Sequence, residues 1–213
     1  YKPFMAIAAL ESGLRKPEDT INDPGFFMFG NHKFRDSNPD GNGIVDLKKS
    51  IVVSSDTYYY ILAKDMGVDL IHRHIEPWGF GRKTGIDLIG EVSGILPSSQ
   101  WKLDRFKQPW HPGENMSIGI GQGYNSFSIL QLALATATLA NRGVMMKPRL
   151  VQSIEDPNTG EVVKTEPQTL RTLDVDQKAI DLVIEAMIDV NKSGTGARIF
   201  GNVPYSVAGK TGT

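Results

Sequence analysis

Three short groups of residues carry types suited to nucleophilic catalysis. Lys2 stands at the head of an apolar run, Ser54-Ser55-Asp56 interrupts a second helical stretch, and Lys210-Thr211-Gly212 runs into Thr213 at the end of the chain. A serine hydroxyl is a weak nucleophile at neutral pH and needs a base beside it. A lysine can be that base only in its neutral form, which burial or a second nearby cation favours. Taken singly, each group has a plainer reading. A lysine at a helix start is a solvated charge, Ser-Ser-Asp is a cap or turn, and Lys-Thr-Gly arises easily by chance.

The elements that would position these residues follow from pattern and punctuation. Pro3 suits a first helical turn, Phe4 to Leu10 continue the helix and Gly13 ends it. Residues 16–43 are rich in Pro, Gly, Asn and Asp and read as a long surface excursion with room for one hairpin. A helical pattern resumes from Asp46 to Ile51, breaks at Ser54-Ser55-Asp56, and continues from Tyr58 to Met66. Residues 69–78 form a short amphipathic helix with Leu70, Ile71, Ile75 and Trp78 near one face. Residues 79–125 read as loop. Ser128-Ile129-Leu130-Gln131 is a capping box opening a helix that Gly143 stops. Residues 147–165 read as two strands joined by Pro157-Asn158-Thr159-Gly160, residues 176–191 as an amphipathic helix, and Tyr205 to Thr213 as a strand. Helices mixed with short hairpins imply an α+β fold with a largely antiparallel sheet flanked by helices.

Set in chain order, the three groups resemble the marks of the penicillin-binding proteins: S-x-x-K, then S-x-N or S-x-D, then K-T-G. The surroundings agree. Tyr1-Lys2-Pro3-Phe4-Met5-Ala6 looks like the continuation of a family segment reading Gly-Ser-Thr-Tyr-Lys-Pro, Gly119-Ile120-Gly121-Gln122-Gly123 like the stretch before the buried helix, and Ala208 to Thr213 like the third motif. Within the family the chain is most similar to the class B penicillin-binding protein 2 group of rod elongation, on Ser54-Ser55-Asp56, the segment Trp101 to Trp110, and the Gly-Gln-Gly stretch. Ser99-Gln100-Trp101-Lys102 and Lys83-Thr84-Gly85 spell the first and last motifs again, but in the wrong order and context, and are read as structural.

The resemblance implies a penicillin-binding/beta-lactamase-like fold covering residues 1–213 as one partial transpeptidase domain. The chain opens in a helix turn and closes in an expected strand, so both ends are read as cuts, with flanking strands outside. S-x-x-K puts the catalytic serine two residues ahead of Tyr1, and the 213 residues alone are expected to be inactive. In the complete protein the resemblance makes Lys2 the base, Ser54 a proton relay, and Asp56 the group that orients the substrate amide and holds Lys2. Lys210 and Thr211 would hold the substrate carboxylate, Gly212 would admit its backbone, and the Thr213 amide would join the oxyanion hole. The implied activity is a peptidoglycan D,D-transpeptidase, inhibited by beta-lactams, acting on stem peptides at the periplasmic face of the inner membrane beside a membrane glycosyltransferase. The alternatives are a D,D-carboxypeptidase or serine beta-lactamase, and a non-catalytic sensor or scaffold. Beta-lactamases are shorter and usually lack an excursion like residues 16–43.

Bulk properties narrow the field. With 23 Lys and Arg against 24 Asp and Glu, there is no electrostatic footprint for nucleic acid. No cysteine is present, which excludes disulfides, a thiolate nucleophile and cysteine-bound zinc. No cofactor is expected. Asp23, His32, Asp36 and Asp40 could in principle hold a metal, but their spacing favours solvated loop polars, so none is assigned. His72 and His74 fall on different helix faces and read as surface residues. Phe26-Phe27 and Tyr58-Tyr59-Tyr60 read as packing or membrane-side contacts.

Overall fold

The computed structural model describes residues 1–212. Its elements, in chain order, are α1 (Lys2–Glu11), β1 (Ile21–Asp23), β2 (Phe26–Phe29), β3 (His32–Arg35), β4 (Gly43–Val45), α2 (Leu47–Val52), α3 (Asp56–Ile75) and a short 3-10 turn (Glu76–Trp78). Then come α4 (Ser99–Phe106), α5 (Glu114–Gly119), α6 (Ile129–Ala140), β5 (Val144–Met146), β6 (Ser153–Glu155), β7 (Val162–Lys164), β8 (Thr169–Thr172), α7 (Gln177–Lys192) and α8 (Ala197–Phe200). Every strand pair is antiparallel, in agreement with an α+β fold. Among the described residues the strands do not merge into one sheet but form four two-stranded ribbons: β1-β4, β2-β3, β5-β8 and β6-β7.

Three local expectations change. The excursion holds two nested antiparallel pairs rather than one hairpin, because Ile21–Asp23 reaches past β2-β3 to pair with Gly43–Val45. Residues 79–125 are not all loop: Ser98 caps α4 by accepting the Trp101 amide, and α5 follows. Residues 205–212 form no strand and pair with no described strand; Val207 and Gly209 bond to α7 instead. The break foreseen after Met66 survives as a kink in α3, where Gly67 takes φ 70° and ψ 160°.

Contacts divide the chain into two compact units. The first gathers Tyr1–Ile75, Pro97–Asn125 and Val175–Thr213, and the second Glu76–Leu96 and Ser126–Asp174. In the first, α1 is apolar all round and is therefore buried all round, with Met5, Ile7 and Ala9 wholly inaccessible. It packs on α3 and α7, while α2 packs on α7 and α5 on α3. Each large apolar side chain so buried contributes about 1.5–3 kcal/mol. The second unit is built on α6 and its ribbons, with Leu134, Leu139 and Met145 in its core. Among the described residues no helix is long and apolar enough to cross a membrane.

Candidate active site

Burial of α1 fixes where its first residue points. Lys2 is 8% exposed, and its Nζ donates to the Ser54 carbonyl oxygen at 2.7 Å, to Ser54 Oγ at 3.1 Å and to Asp56 Oδ1 at 2.7 Å. These bonds use all three donors of an ammonium group. The Tyr59 ring lies 5.4 Å from the same nitrogen. Ser54 itself is held at φ 60°, a left-handed conformation that a residue with a Cβ seldom adopts, so its neighbours must maintain it.

Lys210 belongs to the same unit although it stands near the other end of the chain. Burial, followed by the positive charge of Lys2, lowers its pKa from the ordinary lysine range to about 8, and Asp56 works in the opposite direction. Its Nζ donates to Thr211 Oγ1 at 3.2 Å and to the Thr211 carbonyl at 3.3 Å. The segment before it is moored to α7: the Gly209 amide donates to the Met187 carbonyl at 3.0 Å, and Asn191 Nδ2 to the Val207 carbonyl at 2.9 Å. The hydroxyls of Thr211 and Thr195 lie 2.8 Å apart. A Cβ placed on Gly212 would meet no atom within 4 Å. Thr213 lies outside the described residues.

The Gly119–Gly123 stretch has a physical reason that its composition alone did not disclose. A Cβ at Gly119 would sit 2.5 Å from Ala63 Cβ and 2.6 Å from the Tyr59 carbonyl, and one at Gly121 would sit 2.9 Å from Tyr1 Cβ. Backbone therefore passes close against α3 and against the residue preceding Lys2.

The competing motifs are engaged elsewhere. Ser99 donates from its amide and its Oγ to Asp69, at 2.8 and 2.6 Å, while Lys102 is buried against Glu114 at 2.5 and 2.7 Å. In the second unit the Lys83-Thr84-Gly85 loop is closed by Glu91, which accepts from the Thr84 amide, the Thr84 hydroxyl and the Gly85 amide.

Two carboxylates read from sequence as loop polars are buried instead. Asp23 is 1% exposed and Asp36 is 7% exposed. Burial pushes the Asp23 carboxyl up, but bonds from Asn42, Ser55, the Gly25 amide and Thr57 outweigh it and hold the group below the usual range. His32 and Asp40, grouped with them by sequence, are exposed, and His32 packs edge-on against Phe34. Tyr58, Tyr59 and Tyr60 are core residues: Ser50 Oγ donates to the Leu47 carbonyl at 2.6 Å and lies 3.1 Å from the Tyr59 hydroxyl, and Tyr60 donates to the Arg35 carbonyl.

A lysine, a serine and an aspartate bonded together, with a second lysine within electrostatic reach, are groups able to exchange protons with a nearby hydroxyl. The family described as penicillin binding protein transpeptidase domain matches residues 1–213, and the chain belongs to that family. It is 40% identical, over all its length and 32% of the relative's, to the peptidoglycan D,D-transpeptidase MrdA of Acinetobacter baumannii. Against the protein of that name from Haemophilus influenzae it is 38% identical, again over all its length and 33% of the relative's. The chain thus spans about a third of the length of these relatives. Among solved structures, penicillin-binding protein 2 of Pseudomonas aeruginosa, in complex with WCK 5153, superposes with a TM-score of 0.88 at 35% identity, covering 99% of this chain and 48% of that one. Penicillin-binding protein 2 of Helicobacter pylori, in complex with MreC, gives 0.86 at 30% identity, covering 99% and 38%.

Proposed function

We propose that the full-length protein is a peptidoglycan D,D-transpeptidase and that residues 1–212 hold most of its acid–base machinery. The reading rests above all on the Lys2 amine, bonded at once to Ser54 and Asp56. The names of the curated relatives support it. The family pattern implies a serine two residues ahead of Tyr1, three residues before Lys2, a spacing at which its hydroxyl would face the amine if the helical turn extends that far.

Lys2 takes the hydroxyl proton as the serine oxygen attacks the carbonyl of the penultimate D-alanine. Ser54 passes a proton to the departing amine, and terminal D-alanine leaves. The acyl-serine ester is then opened by an amine of a neighbouring stem peptide, which forms the cross-link and frees the serine. Lys210 and Thr211 bind the terminal carboxylate of the donor stem, Gly212 lets its backbone lie alongside, and the Thr213 amide helps to hold the oxyanion. A beta-lactam acylates the same serine. The setting is the outer face of the bacterial inner membrane. The partners are a membrane glycosyltransferase of the elongation machinery and, by analogy with the Helicobacter pylori complex, a protein like MreC.

Incubating full-length protein with a fluorescent penicillin tests this. One label per molecule is expected, and it should persist; rapid release would indicate a beta-lactamase. Lys2→Arg keeps a cation but cannot surrender its proton, so acylation should fall by ~10²-fold to ~10⁴-fold with the fold retained by circular dichroism. Acylation of Lys2→Arg at the parent rate would remove Lys2 from the role of base.

A further inference from the structure

Asp36, in the loop after β3, touches none of the groups assigned above to bond making, yet it and its neighbour Ser37 grip the start of α3 just behind the Ser54-Ser55-Asp56 turn. Its Oδ2 accepts the Thr57 amide at 2.7 Å, one of the free N–H groups at the start of α3. The next amide, that of Ser37, donates to Asp56 Oδ2 at 3.1 Å. Asp56 is thus gripped on both oxygens, by Lys2 on Oδ1 and by the excursion on Oδ2. Between them Ser55, wholly buried, accepts the Tyr58 amide at 3.1 Å and gives its single proton to Asp23 Oδ2 at 2.7 Å. Asp36 Oδ2, 3.5 Å from that hydroxyl, is left to the Thr57 amide.

The loop carrying Asp36 is itself braced. Its amide donates to the Gly25 carbonyl at 2.8 Å, its Oδ1 accepts from Asn38 N at 3.1 Å and Ser37 Oγ at 3.2 Å, and Asn38 Nδ2 donates to the Gly41 carbonyl at 2.8 Å. A braced carboxylate on a helix start, beside a serine held at φ 60°, fixes the backbone on which Ser54 and Asp56 stand.

The geometry points to Asp36 as a positioning residue for acylation: through Thr57 and the Ser37 amide it sets the rotamer of Asp56 and the strained turn at Ser54, and so the place of the Lys2 amine. The inference rests on the acyl-serine reading of the site. Asp56 turned away would leave Lys2 short of a partner and free to shift from the attacking hydroxyl. Binding of the ligand carboxylate, assigned to Lys210 and Thr211, would be touched far less.

Full-length protein with Asp36→Asn, Asp36→Glu and Asp40→Asn separates the possibilities. The reaction with a fluorescent penicillin is resolved into the dissociation constant before acylation and the first-order acylation step, with rates taken on the molecules that label. Asp36→Asn loses the acceptor that meets the Asn38 amide or the one that meets Thr57. It is expected to slow the first-order step by roughly 10-fold to 100-fold while the dissociation constant moves by less than about 3-fold. Asp36→Glu keeps the charge one methylene out of place and should also be slow. Asp40→Asn, on the exposed part of the same loop, should match the parent. A merely structural Asp36 would lower the thermal midpoint and the labelled fraction but leave labelled molecules reacting at the parent rate, and that result overturns the proposal. Should Asp36→Asn fail to accumulate as folded protein, Asp36→Glu reacting at the parent rate does the same. A parent protein that never labels overturns the acyl-serine reading, and this inference with it.

Discussion

Two lysines that feel each other's charge have different surroundings. Lys2 spends its donors on Ser54 and Asp56, whereas Lys210 donates, among the described residues, to Thr211. Burial first, and the Lys2 charge second, bring Lys210 to about 8, so its cation is lost near physiological pH rather than far above it. The sign matters for stability. The folded value lies below that of the unfolded chain, so the charged lysine opposes folding below pH about 8. That cost is relieved as pH rises from about 8 towards the ordinary 10.5. For binding the sign is reversed, because a carboxylate ligand needs the cation. Affinity of full-length protein for benzylpenicillin before acylation should weaken as pH passes about 8, by up to about tenfold per unit. Lys210→Arg, which stays charged, should show a flat profile over the same range. A parent profile as flat as that of the arginine variant would remove Lys210 from carboxylate binding. At this scale the motif residues were legible as text. Asp23 and Asp36 were not, because their partners Ser55 and Thr57 lie well along the chain and loop composition disguises buried carboxylates.

Among the elements, α6 shows how far a local signal reaches. The capping box at Ser128 and Gln131 is formed as read: Ser128 Oγ accepts the Gln131 amide at 3.1 Å, and Gln131 Oε1 accepts the Ser128 amide at 3.2 Å. What the pattern did not disclose is that Gln131 Nε2 also donates to the Arg82 and Ser93 carbonyls, both at 2.7 Å. Gln131 is wholly buried and stitches the 82–93 loop to α6. Gln131→Leu strands two carbonyls and an amide, so thermal or denaturant unfolding should show a loss of about 2–5 kcal/mol. Ser128→Ala removes only a cap and should cost about 1 kcal/mol. Equal losses from the two variants would mean that the loop carbonyls find other partners. Apolar runs made α1 and α6 readable, and amphipathic periodicity did so for α7. By contrast α5 is six residues long, and Pro, Gly and Trp mask α4. The pairing of β5 with β8 has no local signature, since each strand is three or four residues and their partnership spans a distant loop. The terminal segment has strand composition, but composition supplies no pairing edge.

At the scale of the whole molecule, every described motif residue falls in one compact unit assembled from three separate stretches of chain, while the Lys83-Thr84-Gly85 decoy falls in the other. The first unit contains Ser54 and Ser99, either of which a penicillin could in principle find, beside the serine proposed ahead of Tyr1. Ser54 Oγ is 3.1 Å from the Lys2 amine, close enough to be activated, so proximity alone does not choose. Its backbone does. Ser54 sits in a left-handed turn between α2 and α3, with Lys2 bonded to both its hydroxyl and its carbonyl, whereas the serine proposed ahead of Tyr1 would precede α1, on the side where the helix dipole favours an oxyanion. Ser99 donates its hydroxyl to Asp69, and the lysine three residues on, Lys102, is bonded to Glu114 instead. In full-length protein, replacing the upstream serine by alanine should abolish covalent labelling. Ser54→Ala should keep one label per molecule but acquire it ~10²-fold to ~10⁴-fold more slowly, as for loss of a proton relay. Ser99→Ala should be indistinguishable from the parent. Intact mass spectrometry with peptide mapping reads all three. A label that survives loss of the upstream serine and vanishes with Ser54→Ala would make Ser54 the nucleophile, with Lys2 as its base.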